Sequence, residues 1–164
     1  MGTGYRYVCS KCKEEYEVFQ GIGMLFPTTY KNLVDKIKKG EYGKEWKELF
    51  ETTKNVAVDA ETHIYCCSEC RSWNAEPGIS LYVAVNDSAI EDVKNGYAVF
   101  YDDDSIPAMM GNKPEYRLLK EYEHKCKKCG SVMHETGNEE ICSLPCPKCG
   151  SAPDMEHFGI INWD

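Results

Sequence analysis

The sequence predicts an α+β protein: two small β units, the first carrying a short helical insert. Three observations predict it. Cysteine pairs close four strand-like runs, "YRYVC", "THIYCC", "EYEHKC" and "SLPC". Helical apolar stripes occur between the first two pairs. Further runs read as strands, with alternate residues on two faces.

In "TTYKNLVDKIKKG", Tyr30, Leu33, Val34 and Ile37 fall on one helical face. Thr28 or Thr29 is the expected N-cap and Gly40 the expected stop. In "EYGKEWKELFETT", Tyr42, Trp46, Leu49 and Phe50 make a second stripe, so the insert covers about residues 28–52. "AVDAETHIYC" and "SLYVAV" read as strands. In the second, Leu81, Val83 and Val85 share a face, and Tyr82 and Ala84 the other. Asn86 or Asp87 caps a short helix, "SAIEDVKNG", that Gly96 stops. "YAVFY" reads as a strand and "DDDSIPAMMGNKP" as a loop. "EYRLLKEYEHKC" reads as one long strand. The expected division is 1–104, a linker at 105–114, and 115–164.

Ten cysteines dominate the chemistry. Eight form C-x-x-C pairs: Cys9/Cys12, Cys67/Cys70, Cys126/Cys129 and Cys146/Cys149. A two-residue gap suits a tight turn whose sulfurs both face one ion, and two such turns supply a tetrahedral site. The glycines of "CKKCG" and "CPKCG" fit a turn that needs φ > 0 after its second cysteine. Lys13 and Arg71 hold that place in the first two pairs. A disulfide framework would need an oxidising compartment, to which nothing here points. A thioredoxin-like pair would open a helix in a βαβ unit, whereas these follow strands.

Loop entropy leans toward joining neighbours. That closes loops of 54 and 16 residues, against 133 and 55 for outer-with-outer and inner-with-inner. The difference is roughly 2 kcal/mol. The expected sites are therefore Cys9, Cys12, Cys67 and Cys70, and Cys126, Cys129, Cys146 and Cys149. Cys66 can replace Cys67 at the cost of the repeated spacing. Cys66 and Cys142 otherwise read as small buried apolar groups. His63, His124, His134 and His157 are not needed as ligands, although His124 is close enough to Cys126 to support a ligand from behind.

"HKCKKCG…LPCPKCGSAP" resembles the zinc-ribbon and rubredoxin-like group of folds, in which two knuckles clamp one ion. "YRYVCSKC" with "YCCSEC" resembles the same pattern with a long insert. The whole chain also looks like small multi-CxxC bacterial proteins of unassigned role. The resemblance implies zinc-ribbon-like β units holding two Zn2+ per chain, with iron possible in the same thiolate set.

Charge and missing motifs narrow the function. The formal net charge is −8. Each four-thiolate centre around a divalent ion adds about −2, giving about −12. That opposes nucleic-acid binding, despite local lysines in "KEYEHKCKKCG". No apolar run approaches the roughly 18 residues of a membrane span, and no secretory leader is visible, so a cytoplasmic protein is expected. Asp102, Asp103 and Asp104 lack the spacing of a calcium loop. "PCPKC" with "CKE" or "CSE" mimics a zinc deaminase, but those cysteines already belong to pairs. No Ser-His-Asp set, phosphate loop or HExxH occurs, so no enzyme is expected. The leading expectation is a structural-zinc module that binds another protein. The alternatives are a rubredoxin-like electron carrier and a nucleic-acid-binding ribbon.

Overall fold

The structure, a computed structural model, describes residues 2–98, 100 and 113–163. Among these residues it is α+β, with three small antiparallel sheets and three helices longer than one turn. Asp102–Asp104 and most of the expected linker lie outside the described residues. Contacts divide the chain into two compact units, and the chain passes between them four times. Unit 1 holds residues 1–23, 62–77 and 123–164, and unit 2 holds 24–61 and 78–122. This interleaving differs from the contiguous halves expected above.

Unit 2 carries the helical insert. Helix α1 spans Phe26–Lys39 and α2 Lys44–Thr52. Strands β3 (Val56–Val58), β6 (Leu81–Ala84) and β7 (Tyr116–Lys120) form one sheet in the order β3-β6-β7. Helix α1 starts before the expected threonines because Pro27 sits in its first turn, where a preset φ helps and a missing N–H costs nothing. Tyr30, Leu33 and Ile37 are buried along its stripe, joined by Phe26. Gly40 ends it in the left-handed region at φ 82°. In α2 only Trp46 is buried. Its ring and that of Tyr42 meet Tyr122 edge-on at 5.6 and 5.7 Å.

The expected alternation in β6 fails at a register shift between Leu81 and Tyr82. Such an irregularity turns side chains out of phase, so Leu81 and Ala84 are both buried. "EYRLLKEYEHKC" is strand only over β7, because the chain leaves unit 2 after Tyr122. No strand forms at Tyr97, Ala98 or Phe100, the described residues of "YAVFY".

Helix α3 (Asp87–Lys94) is capped by Asn86, whose Oδ1 accepts from the Ala89 amide at 3.0 Å. The same oxygen accepts from the Glu115 amide at 3.2 Å, and Nδ2 donates to the Lys113 carbonyl at 2.6 Å.

Unit 1 holds every cysteine and two sheets. Strands β1 (Gly2–Val8), β2 (Glu15–Gln20) and β9 (Gly159–Trp163) run in the order β2-β1-β9. Strands β4 (Thr62–Cys67), β5 (Trp73–Pro77) and β8 (Met133–Glu135) run β5-β4-β8. A single turn, α4 (Asn138–Ile141), precedes the last knuckle. "AVDAETHIYC" is thus two strands, β3 and β4, in different units.

Asn86→Ala removes a cap and two further bonds. We expect a loss of about 1–2 kcal/mol in urea unfolding, with Asn86→Asp recovering part of it.

Candidate metal centres

All four knuckles repeat one backbone geometry. The first cysteine's amide donates to the carbonyl five residues on: Cys9 to Glu14, Cys67 to Ser72, Cys126 to Ser131 and Cys146 to Ser151, at 2.8–2.9 Å. The residue after the second cysteine donates back to the first cysteine's carbonyl at 2.8–3.1 Å. That residue is left-handed in every case: Lys13 at φ 57°, Arg71 at 57°, Gly130 at 79° and Gly150 at 71°. The lysine and arginine therefore occupy the glycine conformation. Further amides face the sulfurs, among them Cys12 N–H to Cys9 Sγ and Lys128 N–H to Cys126 Sγ, each 3.4 Å.

The knuckles do not pair as neighbours. Cys9, Cys12, Cys146 and Cys149 form an outer centre, and Cys67, Cys70, Cys126 and Cys129 an inner one. Within each, the four sulfurs lie within 4.8 Å of one another. The expected sets, Cys9/Cys12 with Cys67/Cys70 and Cys126/Cys129 with Cys146/Cys149, are corrected on this geometry. Backbone pairing overrides loop entropy. Strand β1 pairs with β9, and the Cys9↔Pro153 bridge carries the first knuckle to the fourth. Strand β4 pairs with β8 in a register that sets Cys67 opposite Met133, seven residues past Cys126.

Sulfur separations across the centres are 3.5 Å (Cys9–Cys149), 3.7 Å (Cys12–Cys146), 3.4 Å (Cys67–Cys129) and 3.5 Å (Cys70–Cys126). A tetrahedron with metal–sulfur bonds near 2.3 Å has edges of about 3.8 Å, so the donor set and its spacing fit a zinc-sized ion. In each knuckle the first cysteine is buried and the second more open. Cys129 and Cys149 are exposed.

Proton chemistry points the same way. The Ser72 hydroxyl lies 3.0 Å from both Cys70 Sγ and Cys126 Sγ, one sulfur from each knuckle. With the Cys129 amide, it holds the Cys126 thiol down to about 6. Ser151, through hydroxyl and amide, holds Cys149 down to about 6. Cys67 receives the Cys70 amide, yet burial and its neighbour Cys129 push it up to about 11. Sulfurs this close cannot all ionise alone; a divalent cation removes that conflict.

Each centre rests on its own apolar cluster. Tyr7, Tyr16, Val18, Ile64, Ile141 and Leu144 pack with Cys9 and Cys146. Tyr65 and Met133 pack with Cys67 and Cys126. Three aromatic donors anchor the run into the fourth knuckle. Tyr7 Oη donates to the Ile141 carbonyl at 2.5 Å, Tyr16 Oη to Leu144 at 2.9 Å and Trp73 Nε1 to Pro145 at 2.8 Å. Burial pushes both tyrosine hydroxyls well above their ordinary value, so they stay protonated donors.

The remaining candidates have other surroundings. Cys66 Sγ accepts from the Thr136 hydroxyl at 3.1 Å, and Cys142 is half-buried after α4. His63 Nδ1 lies 2.7 Å from Glu135. His124 is buried, stacks on Tyr65 at 3.7 Å and faces Glu76 at 3.5 Å. His134 faces Ser68 at 3.3 Å and Glu140 at 3.5 Å. Sequence reasoning missed Ser72 and the three aromatic donors. A signal for the serine existed, since "CSECRS", "CKKCGS" and "CPKCGS" all place one at the sixth position.

Comparison with protein-family models, curated proteins and solved structures returns no match.

Tyr16→Phe leaves the buried Leu144 carbonyl without its donor. We expect a cost of about 1–3 kcal/mol by denaturant unfolding. Gly150→Ala forces a Cβ into the left-handed region, where no neighbour stands within 4 Å, so only backbone strain is added. A loss of about 1 kcal/mol is expected, and Lys13→Gly gains a comparable or smaller amount in the same assay.

Proposed function

We propose that this protein is a metal-stabilised binding module. Two four-cysteine centres hold structural zinc and fix the remote segments of unit 1 into one scaffold for a partner, most simply another protein. The observation that carries this reading is the nested pairing of four identical knuckles at tetrahedral sulfur spacing. In each centre two knuckles clamp one ion, as in a zinc ribbon, but the knuckles come from opposite ends of a nested chain path. A centre closed by four thiolates keeps no open position, so its role is read as folding rather than Lewis-acid catalysis. Zinc would be held by the eight thiolates named above and would supply folding free energy of roughly 10 kcal/mol or more per centre.

Electron transfer through iron is the second reading. It is favoured by an exposed cysteine in each centre, Cys149 and Cys129, which gives an electron a short path to the surface. The absence of an apolar spanning helix among the described residues is consistent with either.

Elemental analysis with an absorption spectrum tests both readings. Two zinc per chain without colour are expected, and iron with visible thiolate bands moves the assignment to electron transfer. Absence of metal sinks both. The pairing has its own test. C12S/C149S strikes the outer centre alone and should leave one ion, whereas C129S/C149S strikes both and should leave none tightly bound. Chelation should release amide protection in β1, β4, β8 and β9 together.

A further inference from the structure

The second, third and fourth knuckles enclose a cleft of about 460 Å³ within unit 1. Its size is that of a small-molecule site. Three cations line it, Arg71, Lys128 and Lys148, and no carboxylate does among the described residues. Lys148 is held by Glu14 at 2.6 Å. Arg71 and Lys128 make no ion pair among the described residues, in a chain whose acids outnumber its cations 27 to 19.

Arg71 is a second, independent observation. It occupies the left-handed knuckle position at φ 57°, where the third and fourth knuckles have glycine. A non-glycine residue there costs on the order of 1 kcal/mol, and such strain points to a use for the side chain. Lys13, the other non-glycine residue at this knuckle position, has Asp154 at 3.6 Å. Arg71 has no such partner among the described residues, and it lines the cleft.

The cleft also has apolar lining. Trp73 is fixed by its bond to the Pro145 carbonyl and by packing against Tyr16 at 6.1 Å. Pro145 and Pro147 extend that lining. A planar ring fits beside an indole and two prolines, and an anionic oxygen pair fits the guanidinium fork. The charge balance limits the anion. Cys70, Cys146 and Cys149 also border the cleft, so two loaded centres of about −2 each oppose an anion there, and the cations must offset that repulsion by direct contact. With the net charge of −8, they repel a long polyanion. Attraction survives at contact range, through charge-assisted hydrogen bonds.

We propose that this cleft binds a small planar ligand bearing one phosphate or carboxylate group, held by Arg71 and Lys128 against Trp73. The proposal rests on the metal-centre reading, because the two centres fix the walls.

The test is a 15N-resolved NMR titration of the metal-loaded full chain with phenyl phosphate. Phenol, inorganic phosphate and oligothymidylate are the comparison probes, and metal content is measured on the same sample. The expected result is saturable shifts confined to residues 70–73, 128 and 145–150, with Kd below about 1 mM. Phenol should give none, and inorganic phosphate should bind more weakly. R71Q and K128Q should each weaken phenyl phosphate about tenfold with both ions retained. Two bound ions without saturable shifts at about 10 mM overturn the cleft alone. So does an equal response to phenol, or tighter binding of oligothymidylate at the same residues. Absence of metal overturns the cleft together with the reading beneath it.

Discussion

Backbone pairing between β1 and β9 brings together sulfurs 140 residues apart, and the cysteine-bearing unit depends on that closure. Gly4 pairs with Ile161 and Arg6 with Gly159, which sets the register. The Cys9↔Pro153 bridge and the Asp154 amide on the Val8 carbonyl then extend the contact to the knuckles. Closing so long a loop is less costly than intuition suggests, because the entropy grows only with the logarithm of length. A few strand hydrogen bonds and one buried cluster outweigh the roughly 2 kcal/mol that favours neighbours. Small sheets like these are marginal in water without a further constraint, which is the place a bound ion would fill.

The tyrosines explain how so little apolar material suffices. Tyr7 and Tyr16 stack at 5.0 Å and fill the space under the outer centre. Their hydroxyls also satisfy carbonyls of a segment, 141–145, that lacks a strand partner. One side chain thus supplies both buried area and a hydrogen bond to irregular backbone.

Much of this was legible in the sequence. C-x-x-C spacing named the eight cysteines that cluster, because sulfur geometry is local. The helical stripes were legible for the same reason, and the cap of α3 was narrowed to Asn86 or Asp87. The pairing of knuckles was not legible, since it depends on β9, whose short run "GIINW" carries too weak an alternation to announce a strand. The interleaved units were hidden too. "AVDAETHIYC" reads as one strand, yet the chain changes units after Glu61. Chain-entropy reasoning ranked the pairings correctly for an unfolded chain and wrongly for one whose strands have found partners.

That nesting sets the order of synthesis against the order of pairing. A ribosome emits the first and second knuckles long before the third and fourth. In a growing chain those two are the only thiolate pairs on offer, and the shorter loop favours their sharing an ion. The finished arrangement needs each to part from the other and take a later partner. An ion captured by those two knuckles during synthesis would therefore have to be exchanged between thiolates, and the lability of metal–thiolate bonds would then set how quickly the protein matures.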